Sequence, residues 1–394
     1  MKIFNKSEWK KVKLGDICEV ITGNTPSKKI KEYWDKDEVP FITPPELKYE
    51  GINYITPSIF VSKIGAKQGR IISKNSICVC CIGSLGKLGI LKDDAITNQQ
   101  INSLILKDKN IDLLYLYFYL KTTKNNLESI ASSTTVKIIN KSSFEKIEIK
   151  LPDIRIQKKI SKKLEILENN INFRKKQLTY LKELNKSLFT RMFGDIKTND
   201  KNWKIVKLEK YINIIGGYAF KNIDFKLSGI PLIRIGNINS GQFKSTNLVF
   251  IEENKKFEKF KVFPNDILIS LTGTVGKDDY GNACILGDSY SEYYLNQRNA
   301  KIELTDKINK NFFLEIIKIK EVKKKLTGIS RGIRQANISN KDIYNLSLPL
   351  PPIELQNKFA ERIEKIEKLK FEIEKSIEMA QNLYNSLISK YFGN

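Results

Sequence analysis

The residue types that carry most enzymatic chemistry are either missing from this chain or poorly arranged for it. The sequence contains no histidine, which excludes Ser-His-Asp and Cys-His activation of a nucleophile and removes the commonest general base. It has no adenosine-binding glycine fingerprint, no Asn-Pro-Pro-Tyr loop and no cluster of acidic metal ligands. We therefore expect a chain that is not an enzyme and that binds no cofactor or metal itself.

The cysteines predict free thiols. They are Cys18, Cys78, Cys80, Cys81 and Cys284, and three of them lie in the apolar stretch ICVCCIG. An odd number of cysteines in apolar surroundings is typical of buried thiols in a reducing cytoplasm, so we predict a cytoplasmic location. A Cys-x-Cys-Cys metal site is the alternative, but many such sites use a histidine, which this chain cannot supply.

Two glycine-rich segments, GSLGKLG from Gly83 and GTVGKDDYG from Gly273, share part of the pattern of a phosphate-binding loop. A nucleotide-binding loop needs Ser or Thr directly after Gly-Lys, but Leu88 and Asp278 stand there, so nucleotide binding is not favoured. The segments either donate backbone N–H groups and a lysine to DNA phosphates or form plain tight turns. The DNA-contact hypothesis names Ser84, Lys87, Thr274 and Lys277.

A second pair of motifs combines amides with a guanidinium, namely Asn98-Gln99-Gln100 and Asn296-Gln297-Arg298. Asn and Gln pair well with adenine edges, and Arg pairs well with guanine. The shared Asn98 and Asn296 favour a structural role, because domains that contact different half-sites should differ at their base contacts. Gln100 and Arg298 are therefore the predicted DNA-contact residues of these motifs.

Polar residues also occur at predicted strand ends and just before the Leu-Pro segments described below. At the strand ends, the segments PFITPPEL and PLIRIGNI supply Thr43, Glu46, Arg234 and Asn237 as predicted DNA contacts. Before the Leu-Pro segments, TTVK and GISRGIRQ supply Thr135, Lys137, Arg331, Arg334 and Gln335.

The chain contains an internal duplication of nearly 200 residues. WKKVKLGDICEVITG from Trp9 matches WKIVKLEKYINIIGG from Trp203, and the glycine-rich and Asn-Gln motifs follow in the same order in both copies. Each copy ends in LPDIRIQKKI or LPPIELQNKF followed by SLFTRMFG or SLISKYFG. Small changes in the offset between matched segments indicate variable loops on a common scaffold.

The first three-quarters of each copy predicts an α+β domain. Short apolar runs bounded by Gly, Pro and Asn predict strands at 39–42, 76–82, 232–235 and 267–271. Longer apolar runs, DLLYLYFYLKT from Asp112 and NFFLEIIKIKEVKKKL from Asn311, predict one helix each, packed on a sheet.

The last quarter of each copy predicts a long helix of ~35 residues, because apolar residues recur in a heptad rhythm without Gly or Pro. Leu-Pro marks each start, and Phe-Gly marks each end. Two such helices from duplicated units predict an antiparallel pair (a coiled coil) with pseudo-twofold symmetry, which holds two globular domains apart. The predicted divisions are 1–150 and 195–349 for the two domains, and 151–194 and 350–394 for the two helices.

The net charge of +24, from 68 Lys and Arg against 44 Asp and Glu, favours a polyanionic partner, with nucleic acid first. An AT-rich genome, which inflates Lys, Asn and Ile, is the competing explanation. No run of ~18 apolar residues is present, so no membrane contact is predicted.

These features together resemble the specificity subunits of type I restriction–modification systems. The resemblance covers essentially the whole chain and is carried by the paired Trp-Lys-x-Val-Lys-Leu starts, the Gly-x-x-Gly-Lys and Asn-Gln motifs, the Leu-Pro-x-Ile-x-x-Gln helix openings and the Phe-Gly ends. It implies two target recognition domains, each contacting one half of a split asymmetric site in double-stranded DNA, with the two long helices setting the spacing between half-sites.

The same resemblance implies partners. Two methyltransferase subunits would bind this chain, and restriction subunits would join them in the full complex. S-adenosylmethionine, ATP and Mg²⁺ would be used by those partners. The chain departs from an exact duplication at Asp153, where the second copy has Pro352, and in the first copy's lack of the Gly-x-Arg-Gln segment.

Other functions remain as alternatives. A coiled-coil DNA-binding scaffold outside restriction–modification would share the long helices and the charge. A DNA methyltransferase or nuclease would need the catalytic motifs that the sequence lacks. RNA binding is disfavoured because no aromatic stacking motif of the RRM type is present.

Overall fold

The chain forms two compact units. The computed structural model describes residues 9–132, 136–328 and 335–393. The first unit combines the chain up to Leu178 with the segment from Glu372 onward, and the second runs from Thr179 to Phe371. Each unit contains an α+β domain and parts of two long helices.

The first half contains nine short strands among the described residues, two of which lie in the apolar runs that predict them. The described strands are β1 (Lys10–Lys13), β2 (Cys18–Thr22), β3 (Val39–Ile42), β4 (Phe60–Val61), β5 (Ile77–Cys80), β6 (Leu88–Ile90), β7 (Ile96–Thr97), β8 (Ile101–Leu106) and β9 (Glu148–Leu151). The helices are α1 (Leu14–Ile17), α2 (Lys63–Ala66), α3 (Leu113–Thr122), α4 (Lys124–Ile130), α5 (Lys141–Glu145) and the long α6 (Ile154–Phe193). The strand predicted at 39–42 is confirmed, whereas that predicted at 76–82 forms only over Ile77–Cys80, because beyond Cys80 the backbone pairs with another segment, as in the bridge between Ile82 and Ile138.

The strands of the first unit form a main sheet with the antiparallel order β2–β8–β5–β6. A smaller sheet has the order β4–β3–β7, in which β3 is antiparallel to β4 and parallel to β7. Strand β1 pairs with β9, the strand directly before α6. Leu116, Tyr117 and Leu120 of α3 share one buried cluster with Ile77 and Val79 of β5, so α3 covers the main sheet as predicted.

The second half repeats these elements. Its described strands are β10 (Lys204–Lys207), β11 (Ile212–Gly216), β12 (Phe225–Lys226), β13 (Ile230–Ile233), β14 (Val249–Ile251), β15 (Lys261–Val262), β16 (Ile267–Ser270), β17 (Thr272–Thr274), β18 (Ala283–Ile285), β19 (Tyr293–Leu295), β20 (Asn299–Leu304), β21 (Gln335–Asn337) and β22 (Ser347–Leu350). Its helices are α7 (Lys310–Lys318), α8 (Lys320–Thr327), α9 (Asn340–Tyr344) and the long α10 (Ile353–Phe392). Short 3₁₀ turns cover Lys31–Tyr33, Pro44–Glu46, Leu208–Lys210, Asn222–Asp224, Ile235–Asn237 and Lys255–Phe260.

The topology of the second unit matches that of the first, so the predicted duplication is confirmed. Its main sheet has the order β11–β20–β16–β18, and β10 pairs with β22. Strands β14–β13–β19 match β4–β3–β7 in both order and direction. The second unit adds two strands to this smaller sheet, β12 beside β14 and β15 beside β19.

The helix predicted from Asn311 is interrupted, which corrects the prediction of a single helix. Ile319 ends α7 in an extended conformation, with ψ of 129°, and α8 begins at Lys320. Buried Phe312, Phe313 and Ile317 before the break and Val322 and Leu326 after it all belong to one core cluster. The break therefore lets two short helices bury their apolar faces in the same core.

The long helices α6 and α10 contain 40 residues each, somewhat more than predicted. Phe193 and Phe189 of α6 contact Phe359 of α10, with ring centroids 5.1 and 5.6 Å apart, and Asn185 donates to Glu367 at 3.1 Å. Because later residues of α6 meet earlier residues of α10, the pair is antiparallel in the second unit, as predicted.

The end of α10 belongs to the core of the first unit. Tyr384, Tyr391 and Phe392 share a buried cluster with Trp9, Phe118 and α6 residues such as Ile160. The ring of Phe392 lies 5.4 Å from Tyr115 and 5.5 Å from Tyr119. Among the described residues, no helix combines the length and apolar character that a membrane span requires.

Candidate nucleic-acid interface

The turns that follow β3 and β13 are built in the same way in both units. The backbone N–H of Thr43 donates to Glu46 Oε2 at 2.9 Å, and that of Arg234 donates to Asn237 Oδ1 at the same distance. Thr43 Oγ1 and Ser58 Oγ also donate to the Glu46 carboxylate. The two turns thus carry different half-buried side chains, threonine and arginine, on the same backbone arrangement.

The side chain of Asn237 is engaged inside this turn. It is only 4% exposed, and its Nδ2 donates to the carbonyls of Lys244 and Thr246 at 3.0 Å each. Together with the bond from Arg234, these contacts use both amide protons and one lone pair of the carbonyl. The geometry favours a structural role for Asn237, while a DNA contact for it stays a prediction.

The Asn-Gln motifs form a second shared turn. The backbone N–H of Asn98 donates to the carbonyl of Ile42 at 3.0 Å, and that of Asn296 donates to Ile233 at 3.1 Å. Both asparagines are 8% exposed. These bonds join the turn to the end of the neighbouring parallel strand, so the structural role favoured for the two asparagines agrees with the geometry.

The predicted contact residues Gln100 and Arg298 occupy equivalent positions in this turn. Their backbone N–H groups donate to the side-chain oxygens of Asn98 at 3.1 Å and Asn296 at 3.4 Å. Their carbonyls accept from Cys81 and Leu271, respectively, at 2.8 Å. Hydrogen bonds therefore fix the backbone in the same way at Gln100 and Arg298, and the two positions differ only in their side chains.

The glycine-rich segments form tight turns. Lys87 N–H donates to the carbonyl of Ser84 at 3.4 Å, and Lys277 N–H donates to Thr274 at 3.0 Å. The third residues of these turns are Gly86 and Gly276, with φ of 77° and 80°, as a type II turn requires. The lysines follow the turns in both units, and Lys277 is exposed while Lys87 is half-buried beside the ring of Tyr49.

The structure brings the predicted residues before the Leu-Pro segments next to these glycine-rich turns. Gly83 N–H donates to the carbonyl of Lys137 at 3.0 Å in the first unit, and Thr274 pairs with Gln335 through β17 and β21 in the second. Lys137 also forms a 3.4 Å ion pair with Glu128. Thr135, Arg331, Arg334 and the side chain of Gln335 lie outside what the structure describes.

A groove in the second unit collects several predicted residues. We define the second-unit groove by its lining, which includes Phe225, Arg234, Asn237, Asn247, Gln297 and Arg298, and its volume is about 490 Å³. Sequence analysis missed Phe225 and Asn247. The left-handed backbone of Asn247, with φ of 57°, marks a turn that an asparagine favours, but its contact with Arg234 depends on tertiary structure.

The cysteines are buried thiols, as predicted. All five are free and buried, and burial raises the pKa of Cys78 and Cys81 to about 12. A thiol with such a pKa is neither a nucleophile nor a ready metal ligand near neutral pH. Across the described ranges of the chain, no group of three or more Cys, Asp or Glu side chains is placed to hold a metal ion.

Comparison with known proteins identifies the family of both halves. The family model described as "Type I restriction modification DNA specificity domain" matches residues 6–183 and again residues 200–380. The two matches together cover most of the chain, and their repetition agrees with the duplicated topology.

Similar proteins cover the full length. The chain is 29% identical to the type I restriction enzyme MjaVIII specificity subunit of Methanocaldococcus jannaschii, over 95% of this chain and 92% of that protein. It is 25% identical to the MjaIX specificity subunit of the same organism, over 97% and 92%. The crystal structure of a type I system S subunit from M. genitalium has the same fold, with a TM-score of 0.65 over 100% of this chain and 98% of that chain, at 17% identity. These comparisons give no support to a scaffold outside restriction–modification.

Proposed function

The chain belongs to the family of type I restriction–modification DNA specificity subunits, and from this premise we propose that it recognises a two-part, asymmetric DNA sequence and directs partner subunits to it. One observation carries the proposal. Two copies of one scaffold present equivalent turns whose backbones match but whose side chains differ, as at Thr43 and Arg234 or Gln100 and Arg298. Such an arrangement suits two half-sites of different sequence.

Affinity for DNA would come mainly from charge. The net charge of +24 favours contacts to DNA phosphates. Such contacts release counterions from the DNA, and they give affinity for DNA of any sequence. Discrimination would come from side chains that contact base edges in the grooves. The DNA-contact residues named from the sequence, apart from the engaged Asn237, remain our candidates for both roles.

We infer that the chain is the non-catalytic member of its complex. Two methyltransferase subunits would bind it, and restriction subunits would complete the assembly. S-adenosylmethionine, ATP and Mg²⁺ would be used by those partner subunits. The first-unit part of α6 suits a helical partner, because Ile166 and Phe173 lie seven residues apart and are 55% and 60% exposed. A protein that acts on chromosomal DNA in this way would work in the cytoplasm.

The test is methylome sequencing of cells with and without this gene. We expect methylation at one bipartite sequence that disappears when the gene is deleted and returns on complementation. An identical methylome in both strains would overturn the proposal. Purified chain without partners, incubated with DNA and labelled methyl donor, should give no transfer, and robust transfer would contradict the non-catalytic role.

A further inference from the structure

The two arginines of the second-unit groove are held in different ways. Arg234 Nη2 donates to the carbonyl of Asn247 at 2.8 Å, and its guanidinium lies 5.8 Å from the ring centroid of Phe225. Its Nε atom is buried and has no hydrogen-bond partner among the described atoms. Because Nη2 is already bonded and Nε is buried, the guanidinium of Arg234 is poorly placed to present two parallel N–H groups to a base.

Arg298 has the opposite character. Its side chain is exposed, and within the described part of the chain its guanidinium has no ion pair or hydrogen bond. Its backbone is nevertheless fixed, because its N–H donates to Asn296 and its carbonyl accepts from Leu271 at 2.8 Å. A free guanidinium on a fixed backbone is available to form two parallel hydrogen bonds through its planar fork.

We propose that Arg298 recognises a guanine in the half-site that the second unit contacts, and that Arg234 shapes the groove beside it. The inference rests on the proposed function and names the base that this site prefers. Guanine presents two acceptors, N7 and O6, in the major groove, and the arginine fork matches them. A good bidentate contact of this kind discriminates against other bases by about 5- to 150-fold.

The equivalent position in the first unit supports the assignment. Gln100 stands there, and its side-chain oxygen accepts from Asn98 Nδ2 at 2.9 Å, so it is partly turned toward its own loop. Arg234 is likewise replaced by Thr43, whose hydroxyl donates to Glu46 at 2.8 Å. The first unit therefore lacks a guanidinium at both positions, and the two turns differ where half-site specificity must differ.

The experiment uses the chain co-purified with its methyltransferase subunits. Binding is measured against a panel of duplexes in which every base of both half-sites is varied in turn. For Arg298→Gln, which recreates the Asn-Gln-Gln motif of the first unit, we expect the preference for guanine at one position of one half-site to fall by about 5- to 150-fold. Preferences in the other half-site should not change.

Arg298→Lys is the matched control because it keeps the charge but not the fork. We expect it to retain binding to unrelated DNA and the dependence of affinity on salt, and to keep more of the guanine preference than Arg298→Gln does, because an ammonium can still donate to guanine N7 and O6. Arg298 is exposed and supports no core contact, so both variants should unfold at the temperature of the parent chain.

Three results would overturn the inference while leaving the proposed function intact. The second half-site of the parent could contain no guanine whose replacement weakens binding, Arg298→Gln could leave every base preference unchanged, or Arg298→Gln could weaken all sequences equally, as loss of a phosphate contact would. If the parent complex shows no preference for any bipartite site, the proposed function fails and the inference falls with it.

Discussion

The side-chain oxygen of Gln157 accepts a 2.9 Å hydrogen bond from the backbone N–H of Asp112, the residue that caps α3. Gln157 Nε2 also donates to the carbonyls of Pro152 and Asn110. In the second unit, Gln356 accepts from Asn309 N–H at the same distance. The glutamine of each Leu-Pro-x-Ile-x-x-Gln motif thus joins the start of a long helix to the start of a domain helix.

Replacing Gln157 by Ala should destabilise the first unit. The glutamine is 1% exposed, so its removal leaves the N–H of Asp112 and two carbonyls without partners in a dry environment. We expect the free energy of unfolding to fall by about 2–3 kcal/mol, measured by denaturant titration. Lys158→Ala, at the exposed neighbouring position, should change it by less than ~0.5 kcal/mol, and equal effects of the two substitutions would refute the bracing role.

Replacing Phe392 by Ala should open the core of the first unit. This ring is buried between Tyr115 and Tyr119, so we expect a loss of about 3–5 kcal/mol. Hydrogen exchange of α3 measures the effect, because that helix carries both tyrosines. Phe371→Ala removes the same side chain from the same helix where it is 67% exposed, and it should leave α3 protected. Unaltered exchange in both variants would mean that the end of α10 does not stabilise this core.

Replacing Lys277 by Ala should weaken DNA binding without changing sequence preference. The lysine is exposed after a fixed turn, where a contact to a phosphate carries no sequence information. We expect the slope of log affinity against log salt to become shallower by about 0.9. Lys204→Ala, on β10, serves as the control for loss of charge alone, and an identical slope change in both variants would argue against a specific phosphate contact.

The buried cysteines should resist modification until the chain unfolds. Burial raises the pKa of Cys18, Cys78 and Cys81 to about 12, so the reactive thiolate is scarce throughout the range from pH 6 to 9. We expect a maleimide at pH 8 to label none of these three cysteines in the native chain and all three in denaturant, as measured by mass spectrometry. Rapid native labelling of Cys78 would show that the sheet opens locally.

Lengthening both long helices should widen the DNA spacer. Seven residues added after Leu178 in α6 and after Phe371 in α10 keep the heptad register and extend each helix by ~10 Å, or about three base pairs. Methylome sequencing should report the same two half-sites with a longer spacer. Retention of the original spacer by a folded, active variant would rule out the helices as the device that sets it.

Local sequence signals predicted the framework well. The heptad rhythm between the Leu-Pro segments and the Phe-Gly ends predicted α6 and α10, and β3 begins and ends where its apolar run does. Each of these signals consists of residues only a few positions apart, so it can be recognised in the sequence without knowledge of the fold. The break at Ile319 has no Gly or Pro to announce it and depends on how two faces share one core.

The site was less predictable because its side chains find partners in a loop 7 to 13 residues further along the chain, and no local pattern fixes how that loop folds back. Asn237 belongs to a motif chosen for DNA contact, yet its amide is bonded to Lys244 and Thr246. Arg234 and Arg298 look alike in the sequence, and the contacts of Arg234 with Asn247 and Phe225 distinguish its held guanidinium from the free one of Arg298. Such differences arise from tertiary contacts rather than from local pattern.

Because Phe392 packs beside Tyr115, the buried cluster that includes Trp9, Tyr115 and Phe118 can be completed only after α10 has been translated, although the main-sheet core uses no α10 residue in the described part of the chain. At ~5–20 residues per second, the 214 positions between Leu178 and Phe392 take on the order of 10–40 s to translate. During that interval the apolar face of the nascent domain is available to chaperones and to other chains. Premature termination between Thr179 and Phe371 would therefore leave both units without part of their chain.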